Sequence, residues 1–366
     1  MEPLPLNESP LAGIAPKILI PLSLLLLWLA SQRLYAWPLP FAWEIGIGAT
    51  EWAHWLCLIA VLLTGVGALY SRTAAALAVI AGAIAFSPLL GAALTHQGFS
   101  FVALFRGLTR ARPATQTIVY ANQQSMDIYQ PVNPPTTGAP VVIVIHGGSW
   151  ARGSRLDFAA FNGYLQDCGY FVATLDYRLA PAHPYPAAME DLDAAYDYLK
   201  THAAEMHLDM SRVCWLGRSA GAHLALLEAY RQKEPARGVI AFYPPTYLTW
   251  SYEHPSNPRV LDSAAAIRDF LGGSPEQKPL EYTESSPLLN ATPHSPPTLL
   301  MHGGHDDLVY LEQSHRLQRR LDDLKVSNQL LIIPWANHGF DINLSGPSGQ
   351  LSSLAVVKFL EQVLKL

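Results

Sequence analysis

Gly217-Arg218-Ser219-Ala220-Gly221 lies between the apolar run Val213-Cys214-Trp215-Leu216 and a helix-like stretch from His223 to Glu228. The order reads as strand, tight turn and helix. A serine at the centre of such a turn is raised above the strand end, because glycines two residues to either side let other backbone pass close. The helix that starts there aims free N–H groups at whatever the serine attacks. A hydroxyl is a poor nucleophile until a base takes its proton, and the base works best when a carboxylate fixes its tautomer and stabilises the imidazolium. Both partners are on offer downstream: Asp306 in His302-Gly303-Gly304-His305-Asp306-Asp307, and His338 in Trp335-Ala336-Asn337-His338-Gly339-Phe340. Ser219, Asp306 and His338 are thus candidate nucleophile, orienting acid and base, with Asp307 the rival acid. Upstream, Gly147 and Gly148 follow the apolar run Val141 to Ile145. Backbone N–H groups at such a strand exit, joined by that of Ala220, can meet a developing oxyanion. A lone G-x-S-x-G is common by chance, so the reading rests on the joint pattern.

Other polar residues read as structural. His146 is expected to hold its loop by hydrogen bonding, and Asp176 and Arg178 to pair at a strand end. His302 and His305 lack neighbours at metal-ligand spacing and read as loop histidines, so no metal is expected. Neither a Walker loop nor a dinucleotide fingerprint is present.

The chemistry needs a scaffold, and strand and helix signals alternate from Ala114 onward. Short strands over Thr117 to Tyr120 and Met126 to Gln130 precede a buried strand at Val141 to Ile145, a helix at Phe158 to Cys168 and a strand at Tyr170 to Asp176. A helix over Ala187 to Thr201 places Met189, Leu192, Tyr196 and Leu199 on one side. Strands at Val213, Gly238 to Phe242, Thr298 to Met301 and Gln329 to Ile333 follow, with helices at Leu311 to Leu324 and Gln350 to Leu364. Tyr243 to Pro297 is irregular apart from a helical piece at Ala264 to Leu271, and is expected to cap a site. Such alternation indicates a mostly parallel, eight-stranded sheet covered on both faces. Ligands bind beyond the carboxyl ends of strands in such sheets, where His146, Ser219, Asp306 and His338 all fall.

Half of the 366 residues are apolar, 14% are charged, and the net charge is −5. The apolar excess lies mostly before Arg106, and the acidic balance without basic runs argues against a nucleic-acid partner. Spans near 18–37, 52–70 and 73–94 approach the roughly 20 residues that cross a bilayer. The leader before Lys17 carries Glu2 and Glu8 and no basic residue, so a retained anchor is expected rather than a cleaved signal peptide. The two-residue link Ser71-Arg72 forces a hairpin, and Gly65, Gly67, Gly82 and Gly91 are expected to let helices approach. Trp52, Trp55 and Tyr70 sit where aromatic belts do, with His54 an interfacial residue. Phe99 to Leu108, with Arg106, Arg110 and Arg112 close behind, is expected in the interface plane. Lys17 and Arg72 on one side are outnumbered by Arg33, Arg106, Arg110 and Arg112 on the other, which puts the C-terminal part in the cytoplasm. The expected organisation is a multi-pass membrane anchor over 1–112 and a catalytic domain over 113–366. Cys57, Cys168 and Cys214 read as buried free thiols.

His146 to Trp150, Asp176 to Pro186, Gly217 to Ala222, Ser286 to Pro297 and His302 to Val309 resemble the hormone-sensitive-lipase-like and carboxylesterase-like branch of the α/β-hydrolases, over about the last two-thirds of the chain. The order Ser219, Asp306, His338 is the one that fold uses. The resemblance implies an esterase or lipase with a serine triad, an acyl-enzyme route and no cofactor, acting on small-molecule or lipid esters. The lipase branch has a third glycine where this chain has Ser149. The H-G-G-x-W form and the Ser-Ala-Gly-Ala-His run look more like arylformamidase and prenylcysteine methylesterase relatives, some of which carry N-terminal membrane segments. The alternatives are an amidase-type hydrolase such as an arylformamidase, and a non-catalytic ligand-binding protein on the same fold.

Overall fold

A computed structural model describes residues 11–34, 42–95, 98–106, 113–121, 123–231 and 236–365. The chain divides into two compact units. Met1–Leu108 join Trp335–Leu351 in the first, and Thr109–Pro334 join Ser352–Leu366 in the second. The segment around His338, which the sequence reading leaves with residues 113–366, therefore groups with the N-terminal helices.

The first unit contains α1 (Leu11–Ser31), α2 (Ala42–Glu51), α3 (Ala53–Tyr70), α4 (Arg72–Leu94) and the short α5 (Phe101–Arg106). Stretches of α1, α3 and α4, namely Gly13–Ser31, Ala53–Tyr70 and Arg72–Leu94, are long and apolar enough to cross a membrane by length and composition. The first begins ahead of the expected 18–37. It stops at Ser31, where the Ser31 hydroxyl and the Gln32 amide both donate to the Trp28 carbonyl. The end of the expected span, with Arg110 and Arg112, lies outside the described residues. Ser71 breaks the backbone between α3 and α4, and its Oγ accepts from Ala74 N at 3.3 Å, capping α4. A Cβ on Gly67 would come 2.7 Å from Ala75 N, and one on Gly82 3.0 Å from the Ala60 methyl, so these glycines bring α3 and α4 together. Gly65 meets nothing within 4 Å and Gly91 faces the Trp335 indole, so neither serves the hairpin as expected. His54, at the start of α3, is buried edge-on to the Phe105 ring at 5.0 Å.

The second unit is an eight-stranded sheet of β1 (Gln116–Ala121), β2 (Gln124–Tyr129), β3 (Ala139–Ile145), β4 (Phe171–Leu175), β5 (Leu208–Arg218), β6 (Gly238–Phe242), β7 (Thr298–Gly303) and β8 (Asn328–Ile333). The order is β1-β2-β4-β3-β5-β6-β7-β8. β2 pairs antiparallel with β1 and β4, and every other pairing is parallel. All of β3 is buried, as a central strand covered on both faces must be. Its helices are α6 (Ala159–Asp167), α7 (Ala187–Thr201), α8 (Ala220–Arg231), α9 (Leu248–Glu253), α10 (Ser263–Leu271), α11 (Pro279–Glu284), α12 (Pro287–Asn290) and α13 (Glu312–Asp323). The terminal α14 (Pro347–Leu364) begins in the first unit and ends in the second. Met189, Leu192, Tyr196 and Leu199 of α7 are buried, as their spacing requires.

The stretch from Tyr243 to Pro297 holds four short helices, α9 to α12, where one is expected. α10 is the expected one; α9, α11 and α12 are too brief to show an apolar period, and tertiary hydrogen bonds supply order instead. Gln313 is the hub: its Oε1 accepts from Thr246 N and Tyr247 N, both at 2.8 Å, and its Nε2 donates to Ser251 Oγ at 2.7 Å. Asp176 and Arg178 do not pair with each other. Arg155 takes Asp176 at 2.6 Å, while Arg178 binds the buried Asp191 at 2.9 Å and Glu190 at 2.8 Å. β4 ends at Leu175, so both residues lie in the loop beyond it and each takes the charged partner packed against its own part of that loop.

Candidate active site

β5 ends at Arg218, α8 starts at Ala220, and Ser219 between them has φ +53°. A non-glycine residue rarely adopts that left-handed conformation, and here the surroundings dictate it. Ser219 N donates to Phe242 O at 2.9 Å on one side, and its own carbonyl accepts from His223 N at 3.0 Å on the other. A Cβ on Gly217 would strike the Gly221 carbonyl, and one on Gly221 would strike the carbonyls of both Ile145 and His146. Both glycines are therefore needed for backbone to close on backbone, β5 to α8 and α8 to β3.

Register brings the oxyanion loop alongside. Ile145 pairs with Gly217, so the chain leaving β3 runs beside the serine turn. A Cβ on Gly147 would lie 2.9 Å from Arg218 O and 3.4 Å from Ser219 Cβ. Gly148 has φ +109°, followed by Ser149 at +55° and Trp150 at +58°. Ala151 N and Arg152 N both donate to Gly148 O at 3.1 Å, which holds the turn. Thus Gly147, Gly148, Ser219 and Ala220 come from two neighbouring strand ends. His146 anchors this loop as expected, stacked on Tyr177 at 4.3 Å with the tyrosine hydroxyl donating to its carbonyl at 3.2 Å.

A buried network that sequence reading misses ties this loop to α8 and to the insert. Trp150 Nε1 donates to His223 Nδ1 at 3.2 Å, which leaves the proton on His223 Nε2 to go to Ser285 O at 2.6 Å. The Trp150 indole also stacks on Phe270 of α10 at 4.6 Å. Burial pushes the His223 pKa down to about 4, so the ring is neutral and structural. The signal lay in the motifs: Trp150 closes H-G-G-S-W and His223 closes S-A-G-A-H. Arg218 is fully buried too, its guanidinium over Phe158 at 4.0 Å, Phe161 at 4.5 Å and Phe242 at 4.8 Å.

Asp306 leaves the end of β7 and is buried, whereas Asp307 is exposed. Asp306 Oδ1 accepts from Leu308 N at 3.0 Å and Val309 N at 2.9 Å, and its Oδ2 lies 3.3 Å from His302 Nε2. His302 is a buried strand residue rather than a loop one, held between Ser314 Oγ at 2.7 Å and Val309 O at 2.8 Å. Among the described residues no group of three or more His, Cys, Asp or Glu is placed to hold a metal.

His338 sits in the first unit, buried, in the turn beyond β8. Gly339 beside it has φ +78°, which lets the chain enter the short 3-10 turn Phe340–Ile342. Trp335 Nε1 donates to Ser348 Oγ at 3.0 Å and so spans the base of this loop.

Residues 126–321, more than half of the chain, match the protein family described as BD-FAE. The chain is 28% identical over 264 residues to esterase LipC of Mycobacterium tuberculosis (strain ATCC 25618 / H37Rv), covering 66% of this chain and 62% of that protein. It is 26% identical over 263 residues to a probable carboxylic ester hydrolase, LipM, of the same strain, covering 67% and 59%. The match thus spans about three fifths of each relative. Among solved structures, a hyperthermophilic esterase from Pyrobaculum calidifontis superposes with a TM-score of 0.61 at 21% identity, covering 75% of this chain and 90% of that one. A truncated carbohydrate esterase from gut microbiota gives 0.60 at 18% identity, covering 71% and 99%. These likenesses establish the α/β-hydrolase fold of the second unit.

Proposed function

The chain belongs to the BD-FAE family, and from that premise we propose that it is a membrane-anchored serine hydrolase that cleaves carboxylic esters through an acyl-enzyme intermediate. The observation that carries this reading is Ser219 at φ +53°, held at the top of β5 beside Gly147. In the proposed reaction Ser219 Oγ attacks the ester carbonyl carbon while His338 takes its proton, and Asp306 orients and stabilises the imidazolium. The N–H groups of Gly147, Gly148 and Ala220 receive the oxyanion. The tetrahedral adduct collapses, His338 gives the proton to the departing alkoxide, and the alcohol leaves. Water, deprotonated by the same histidine, then releases the acid and restores Ser219. The rigid carboxylate of Asp306, fixed by two backbone N–H groups, suits the orienting role better than exposed Asp307.

The names of LipC and LipM support an ester as the substrate class. The three apolar helices support residues 1–112 as a multi-pass anchor with 113–366 carrying catalysis, and the excess of Arg33, Arg106, Arg110 and Arg112 over Lys17 and Arg72 supports a cytoplasmic side for that part. An anchored enzyme meets esters that partition into lipid, and the proposed substrates are lipophilic for that reason. Ser219→Ala and His338→Ala in the full chain should each lower hydrolysis of p-nitrophenyl butyrate by roughly 10⁴-fold or more. Near-native turnover in Ser219→Ala would sink the reading.

A further inference from the structure

The loop that carries His338 is built from both ends of the chain. Its first contact is Trp335, whose indole occupies the space where Gly91 of α4 has no side chain. A Cβ on Gly46 of α2 would come 2.8 Å from Asn337 Nδ2, and one on Gly339 would meet Ile47 Cδ1 at 3.3 Å. The residues on either side of His338 are therefore fitted to α2. Glu51, the last residue of α2, then takes hold of the far end of the loop. Its Oε2 accepts from Ser348 N at 3.1 Å and from Gly349 N at 3.4 Å, the first N–H groups of α14, so a residue nearly 300 positions away caps that helix. The Glu51 carbonyl accepts from Asn343 Nδ2 at 2.9 Å. Gly346 has no room for a side chain because Glu51 Oε2 lies against it. Ser348, which Glu51 holds, receives the Trp335 indole N–H. Finally, Ser100 N donates to Gln350 Oε1 at 2.8 Å while Gln350 Nε2 donates back to Ser100 O at 3.1 Å.

We infer that the N-terminal helical unit is part of the catalytic apparatus, with Glu51 a positioning residue that sets the loop presenting His338 as base. The inference rests on the esterase reading above. An anchor that only tethers would have no use for glycines matched to Trp335 and Asn337, nor for a buried carboxyl on the loop. Glu51 does not touch the reacting atoms. It acts through Ser348, Gly349 and Asn343, and a displacement of the base by an ångström is enough to slow turnover by up to about 100-fold. Burial lifts its pKa to about 8, so a neutral acceptor suffices for the role, and glutamine can fill it.

The test uses the full chain in detergent micelles with p-nitrophenyl butyrate, an ester that needs no bilayer. Glu51→Ala is expected to lower kcat about tenfold or more while KM stays within about twofold. Glu51→Gln, which keeps an oxygen for Ser348 and Gly349, is expected to recover most of that loss. Gly46→Val presses on Asn337 from the other side and serves if Glu51→Ala does not fold; it too should lower kcat and spare KM. Wild-type kcat in a folded Glu51→Ala or Gly46→Val protein overturns the inference and leaves the esterase reading intact. Activity that survives Ser219→Ala overturns the esterase reading and this inference with it.

Discussion

The proposed nucleophile and the proposed base are supported in different ways. The Ser219 turn is closed at the ends of β3, β5 and β6 and the start of α8 by backbone against backbone: Gly221 on Ile145 and His146, Ser219 N on Phe242 O, His223 N on Ser219 O. His338 stands in a loop whose shape comes from α2 and α4 through Gly46, Glu51 and Gly91. The first arrangement is rigid because a parallel sheet fixes its own strand ends. The second depends on packing between segments that share no secondary structure. Turnover can therefore be attacked at the base without disturbing the nucleophile.

The largest effect is expected on the nucleophile side. Gly221→Ala forces a methyl into two carbonyls with no flexible neighbour to yield, and should destabilise the second unit by about 3 kcal/mol, the upper end of overpacking. The apparent unfolding midpoint should fall by roughly 6–12 °C, and turnover by about 100-fold as Ser219 moves. A variant with native midpoint and turnover would mean that the turn is not closed as described.

Heating the protein at different pH values separates the two regions. Glu51 in the folded chain keeps its proton up to about 8, whereas an unperturbed glutamate loses it near 4.5. Unfolding between those values releases a proton, so stability falls as pH rises through that window. His223 works in the opposite sense. Folded, it stays neutral down to about 4, while the unfolded ring takes up a proton below 6.5, so stability is lost as pH falls from 6.5 towards 4. Above pH 6.5 only the Glu51 slope remains of these two, and Glu51→Gln should flatten it. An unaltered slope in that variant would remove Glu51 as its source. The smallest effect is expected from Trp150→Phe. It keeps the stack on Phe270 but takes the donor from His223 Nδ1, for a loss of about 1–2 kcal/mol and little change in KM.

What the sequence made legible follows the same division. The serine turn, the glycines after β3 and the exact limits of Ala187–Thr201 and Gly238–Phe242 could be read because each depends on neighbours within a few residues. Of the short helices of the insert only α10 could; Gln313, far downstream, orders the start of that segment. The Trp150 to His223 link joins positions 73 apart, and although each residue closes a legible motif, neither motif states that the two meet. α2 was missed for another reason. Ten residues with Gly46 and Gly48 inside have poor intrinsic helix propensity, and the helix persists because Gly46 packs on the His338 loop. The glycine that hides the helix in the sequence is the one its packing requires.

The contacts from Glu51 to Ser348 and from Ser100 to Gln350 join positions 297 and 250 apart. Closing loops of that size is entropically costly and slow, and it comes after local structure has formed. During synthesis α2 is made before the serine turn, and Gln350 after it. A chain arrested before α14 would hold Ser219, the proposed nucleophile, while the loop of the proposed base, His338, lacked its contacts to Glu51. In the proposed reaction turnover therefore waits until the segment holding Ser348 and Gln350 has returned to helices made before it.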